Sequence, residues 1–172
     1  MTGYGSYGVE NISVTEGAQM GIYLNPDSSK FEEAVNSDIY IDKTGLLAYT
    51  NSVLHTMQKY ICVSRPRRFG KSIAANMLTA YYSCGCNSKE LFSEFEIAKN
   101  SEFERYLNCY NTISVNMLEF LSRSKDIYEL IHRFKALIIR ELKAEFPQMD
   151  YFDDTDLAQC MQDSMLRKNS HL

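Results

Sequence analysis

The sequence predicts an α/β domain in which parallel strands are flanked by helices, and three observations carry that prediction. First, a compact apolar run rich in strand formers, KYICVS (59–64), leads through a short basic loop into KSIAANMLTAYYS (71–83), whose Ile73, Met77, Ala80 and Tyr81 keep one helical face. Second, NTISVNML (111–118) alternates Ile113, Val115 and Met117, the period of another strand. Third, from 124 to 146 an apolar stripe of Ile127, Leu130, Ile131, Phe134, Leu137, Ile138 and Leu142 has helical period, and Pro147 stops it.

The other elements follow in chain order. Residues 1–20 hold four of the eight glycines among polar neighbours and read as a flexible leader, with Met20 an alternative start. The domain is expected from Gly21 to about residue 150, followed by an acidic helix and polar tail at 151–172. SSKFEEAVNS (28–37) opens on a serine cap and sets Phe31 and Val35 four apart, as in a short helix. IYID (39–42) reads as a short strand, and 44–57 as a helix through Leu46, Leu47, Val53, Leu54 and Met57. Gly85 ends the helix at 71–83, 101–108 forms another short helix, and a last one is expected near 154–166.

At 172 residues, 45% hydrophobic and 23% charged, the chain suits one globular domain. No apolar run approaches the roughly 20 residues that span a bilayer, and the start has neither a basic nor an apolar signal region. The cytoplasm is the expected compartment. Five cysteines without framework spacing read as reduced thiols, mostly packing residues, and Cys84-Gly85-Cys86 lacks the second pair or histidine that a metal site needs.

Charge is distributed unevenly. Residues 1–58 carry −5, residues 59–72 carry +5 with no acid, and residues 73–172 carry −4. Such a concentrated patch of cations in an acidic chain points to an anion site. Its chemistry is specific: a phosphate-gripping P-loop, G-x-x-x-x-G-K-[ST], wraps oxygens with backbone N–H groups, aims a lysine at the outer phosphates and puts a hydroxyl on Mg²⁺. Gly70, Lys71 and Ser72 supply the glycine, the ammonium and the Mg²⁺ ligand, between a predicted strand and a predicted helix. Arg65 stands where the first glycine belongs, and Pro66 biases it toward extended geometry.

RPRRFGKS (65–72) after an apolar run resembles the Walker A segment of the predicted AAA-ATPase-like family, in which an arginine commonly takes that first position. YIDKTGLL (40–47) and LFSEFEI (91–97) are similar to two further segments of that family, so the resemblance covers roughly residues 21–120. It implies an ATP site with Mg²⁺ formed by Arg65, Pro66, Arg67, Arg68, Phe69, Gly70, Lys71 and Ser72, with Asp42, Lys43 and Thr44 facing the nucleotide. On residues alone, Asp42 or Thr44 serves equally well as the cap of the next helix. Arg67 and Arg68 read as phosphate contacts, and Tyr81 and Tyr82 as core and surface of their helix rather than a stacking platform.

Hydrolysis also needs an acidic residue at a second strand end, to organise Mg²⁺ and a water. Glu119, Asp153 and Asp154 are poor candidates, each following a short or broken apolar run. In the resembled family that motif lies further downstream, and many members carry a nuclease-like C-terminal domain. The sequence is therefore expected to be the N-terminal part of such an ATPase, an incomplete P-loop NTPase-like domain that binds ATP or GTP with little or no turnover by itself. The alternative is a non-enzymatic interaction module that self-associates or docks a protein partner through the helix at 124–146. Nucleic-acid binding is disfavoured, because the flanking acidic segments repel a phosphate backbone.

Overall fold

Phe31, with no exposed surface, anchors the first helix of a computed structural model that describes residues 21–166. The expected leader and the last residues of the tail lie outside the described residues. Helix α1 (Ser29–Val35) starts where the Ser28 carbonyl accepts from Phe31 and Glu32 N–H at 2.9 and 3.0 Å, while the Ser28 hydroxyl turns to the Glu32 carboxylate instead of capping. Next come α2 (Gly45–Val53), α3 (Lys71–Tyr82), α4 (Lys89–Phe92), a 3₁₀ turn (Glu96–Lys99) and α5 (Phe103–Tyr106). The chain then forms α6 (Met117–Leu121), α7 (Ile127–Glu145) and α8 (Leu157–Leu166).

The expected α/β architecture with parallel strands is overturned: among the described residues there is no strand, only two isolated bridges, antiparallel Leu24–Ile113 and parallel Ser83–Tyr110. A strand lasts only where its N–H and C=O groups pair sideways with a neighbour. Around 59–64 no described segment pairs with the backbone. The segment runs without regular structure, with Tyr60 85% and Val63 42% exposed. IYID (39–42) is likewise irregular, with Ile39 and Ile41 exposed. At 111–118 the alternation ends early: Ile113 makes one bridge, and the Asn116 side chain then accepts from Leu118 N–H at 3.2 Å and starts α6.

The helical expectations fare better. Within 124–146, α7 is capped by Asp126, whose Oδ1 accepts from Glu129 N–H at 2.8 Å, and it ends at Phe146, just before Pro147. Two apolar clusters result. One gathers Phe31, Leu47, Met77, Tyr81, Phe92 and Ile97 where α1 packs on α3 and α2 on the 3₁₀ turn. Its aromatic rings are closely set, Phe31 on Phe92 at 5.2 Å and Tyr81 edge-on to Phe92 at 5.5 Å, each such pair contributing about 0.5–1.5 kcal/mol beyond burial. The other joins Tyr23, Leu24 and Phe120 to the α7 stripe and Cys160 of α8.

Tyr81 lies fully in the core, and its hydroxyl donates to the Phe103 carbonyl at 2.7 Å. Tyr82 is half-buried, donates to Asn51 Oδ1 at 2.6 Å, and is pushed up to about 12, chiefly by burial. Packing of the thiols was over-read. Cys160 is buried, but Cys62 and Cys109 are exposed.

Candidate phosphate-binding loop

The turn into α3 is made by two left-handed residues, Arg68 (φ 67°) and Gly70 (φ 75°), with Phe69 between them. Left-handed backbone suits glycine but costs an arginine roughly 1 kcal/mol or more, so Arg68 is the strained position of this turn. Gly70 occupies the N-cap of α3, Lys71 and Ser72 its first turn. From 60 to 73 no backbone N–H donates a hydrogen bond to a described residue; the ladder resumes with Ala74 N–H to the Gly70 carbonyl at 2.9 Å. Successive N–H groups without described partners, turned by left-handed residues and ending on a helix N-terminus, are backbone of the kind that can present donors to an anion.

Lys71 folds back over this loop. Its Nζ donates to the carbonyls of Arg65 and Pro66, the second at 3.1 Å, closing the loop on itself. Arg65, Pro66, Arg67, Arg68 and Phe69 are exposed, as is Ser72, whose hydroxyl makes no hydrogen bond to a described residue. The ion pairs among the described residues are Lys89–Glu104, Arg105–Glu102 and Lys143–Asp154, so none neutralises a loop cation.

The upstream DKT segment divides in two. Lys43 reaches the loop: a Cβ placed on Gly70 would lie 2.7 Å from its Nζ, so a side chain there would meet the lysine. Asp42 and Thr44 turn the other way. Asp42 accepts from Thr44 N–H at 2.7 Å and Glu96 N–H at 2.9 Å, and the buried Thr44 hydroxyl accepts from Ile97 N–H at 3.2 Å. Burial pushes the Asp42 carboxyl up, but those backbone donors, the Thr44 hydroxyl and the Lys99 charge together hold it below its ordinary range. Thr44 stands at the N-cap of α2, yet its side chain makes no capping bond.

A protein-family model described as "Predicted AAA-ATPase", the AAA-ATPase-like family, matches residues 28–170. The chain belongs to this family. Comparison with curated proteins and with solved structures finds no match. No described helix of this AAA-ATPase-like protein is long and apolar enough to cross a membrane.

The acids weighed for hydrolysis are engaged elsewhere. Asp154 pairs with Lys143 at 2.7 Å, Asp153 accepts from Thr155 N–H and hydroxyl, and Glu119 receives Asn116 Nδ2 at 3.3 Å. Among the described residues no group of three or more His, Cys, Asp or Glu stands ready for a metal, the C-x-C pair included. The Cys86 thiol is pushed up to about 11, mainly by burial, and donates to the Pro26 carbonyl. Sequence reasoning missed Glu141, which lies buried on α7 and accepts from the N–H groups of Ile22, Tyr23 and Leu24 at 3.2, 2.8 and 2.8 Å. Its signal was an acid set within the apolar stripe, between Ile138 and Leu142.

Proposed function

We propose that this chain binds ATP with Mg²⁺ through residues 65–72 and by itself turns the nucleotide over little or not at all. The observation that carries the reading is the row of backbone N–H groups from 67 to 73 that have no hydrogen-bond partner among the described residues, bent by Arg68 and Gly70 and flanked by cations that no described acid pairs. Polyphosphate supplies the acceptors those groups lack. Lys71 would exchange two neutral carbonyls for charged phosphate oxygens, a roughly twofold stronger kind of hydrogen bond. Lys43, beside Gly70, adds charge from a second segment.

Ser72 is the residue that would hold Mg²⁺, and its exposed, unengaged hydroxyl fits that role. When bound, the ion neutralises charge on the phosphates. Weak turnover follows from the acids: Glu119, Asp153 and Asp154 are tied to neighbours of their own.

Titration of the purified chain with Mg-ATP and Mg-GTP tests this. Saturable ATP binding is expected, with hydrolysis near background. Lys71→Ala deletes a charge-assisted contact, about 1.5–3 kcal/mol, or roughly ten- to a hundredfold in affinity. Absence of saturable binding to folded protein overturns the reading. Brisk hydrolysis lost in Lys71→Ala overturns its second half, and points to Glu119, Asp153 or Asp154.

A second reading, an interaction module docking through α7, draws on the exposed Ile127, Tyr128 and Ile131 near its start. Self-association in size-exclusion chromatography together with indifference to ATP would favour it.

A further inference from the structure

Beside α3 lies a cleft of about 420 Å³, lined by Ile22, Asp27, Lys30, Asn76, Thr79 and Ser114 among others. That volume falls within the roughly 300–1,000 Å³ of small-molecule sites. Ser72, Asn76 and Thr79 stand at i, i+4 and i+7 of α3, so they share one face of the helix. At 1.5 Å per residue, Asn76 lies about 6 Å and Thr79 about 10 Å along the axis from Ser72.

Two of these side chains lack partners. Thr79 is only 8% exposed, yet its hydroxyl makes no hydrogen bond to a described residue. Asn76, half-buried, has an amide equally unengaged. The Thr79 hydroxyl is not sealed from solvent, so on the cleft wall it is open to a polar ligand. At the rim, Asp27 Oδ1 is held by Ser29 N–H and hydroxyl at 3.2 and 2.6 Å, which fixes a carboxylate at the mouth.

We propose that this cleft takes the nucleoside half of the nucleotide, with phosphates at the head of α3 and the base and ribose along its Asn76–Thr79 face. The proposal rests on the phosphate-loop reading and deepens it. The Asn76 amide offers a donor and an acceptor side by side, the pairing that reads a base edge. Asp27 is an acceptor for sugar hydroxyls, and Ile22, 66% exposed, is an apolar wall for the face of the ring.

The test compares Mg-ATP with Mg-tripolyphosphate, which has the phosphates and no nucleoside, by calorimetric titration of the full chain. Wild type is expected to bind ATP at least tenfold more tightly than tripolyphosphate. Asn76→Leu, which fills the cleft, should bring ATP down to the tripolyphosphate level with tripolyphosphate itself unchanged. Thr79→Val keeps the shape and loses only the hydroxyl, so it should weaken ATP several-fold even if the leucine variant is poorly folded. Equal affinity of the two ligands for wild type, or unchanged ATP affinity in Thr79→Val, overturns the nucleoside site and leaves the phosphate loop standing. If neither ligand binds wild type, the phosphate loop fails and this inference falls with it.

Discussion

Glu141 is the residue on which the beginning of the described chain depends. Its carboxylate receives three successive backbone N–H groups, of Ile22, Tyr23 and Leu24, and in doing so holds Tyr23 and Leu24 against the α7 stripe. Room around it is limited, since a Cβ on Gly21 would lie 2.6 Å from Glu141 Oε2 and 2.4 Å from the Leu24 carbonyl. Glu141→Ala leaves those donors unpaired in a mostly buried place, where each unmade bond costs about 1–3 kcal/mol. The expected loss is about 3 kcal/mol or more, read as a lower urea midpoint at unchanged slope. An unchanged midpoint would mean that water satisfies the three N–H groups equally well. Nothing in the local sequence announces this contact. An acid within an apolar stripe says that something must meet it, but its partners lie 117 to 119 residues away in the chain.

At the scale of elements, the junction of α2 with the 3₁₀ turn shows how one short segment can brace the fold and also reach the basic loop. Asp42 and Thr44 bond Glu96 and Ile97 and so fix the approach of the 40–47 segment, while Lys43 between them points to Gly70. Because its environment depresses the Asp42 carboxyl, Asp42 contributes stability that is present above its unfolded value of 3.8 and is lost as pH falls through the lower folded value. Asp42→Ala should lower stability at neutral pH, by less than a buried carboxylate would because Asp42 is exposed and screened, and flatten the acid limb of the stability curve. Equal acid sensitivity in the two proteins would contradict this. Helices α3 and α7 were legible because their signals are local: alanines and a left-handed glycine for one, a long apolar period with an aspartate cap for the other. The 59–64 run was not. Apolar composition alone cannot distinguish a paired strand from an exposed extended segment, because pairing is a property of neighbours.

On the scale of the whole molecule, the unpaired stretch from 60 to 73 makes a prediction that no single residue makes. Its amides have no hydrogen-bonded partner among the described residues, so they should exchange with solvent fast, whereas α3 beyond Ala74 and the middle of α7 should exchange slowly. Under the proposed function, Mg-ATP should slow exchange at 67–73 and leave 60–64 fast. Protection of 60–64 without nucleotide would show that those groups are paired in solution after all. Asn25 illustrates how the two clusters are tied together. Buried, with φ 49°, it exchanges hydrogen bonds with Thr112 through N–H and Oδ1, each at 2.8 Å, and its Nδ2 donates to Asn111.

By itself the sequence determined the family, the concentration of cations at 59–72 and most of the longer helices, since each of these rests on residue types at short spacing. Tertiary structure alone decided that 59–64 lies exposed rather than within a sheet, that Asp42 and Thr44 brace the 3₁₀ turn while Lys43 meets the loop, and that Glu141 clamps a distant segment. The physical reason is one of range. Helix periodicity, caps and left-handed glycines are satisfied within a few residues. Strand pairing, buried carboxylates and clefts are completed only by groups that the fold brings from far along the chain.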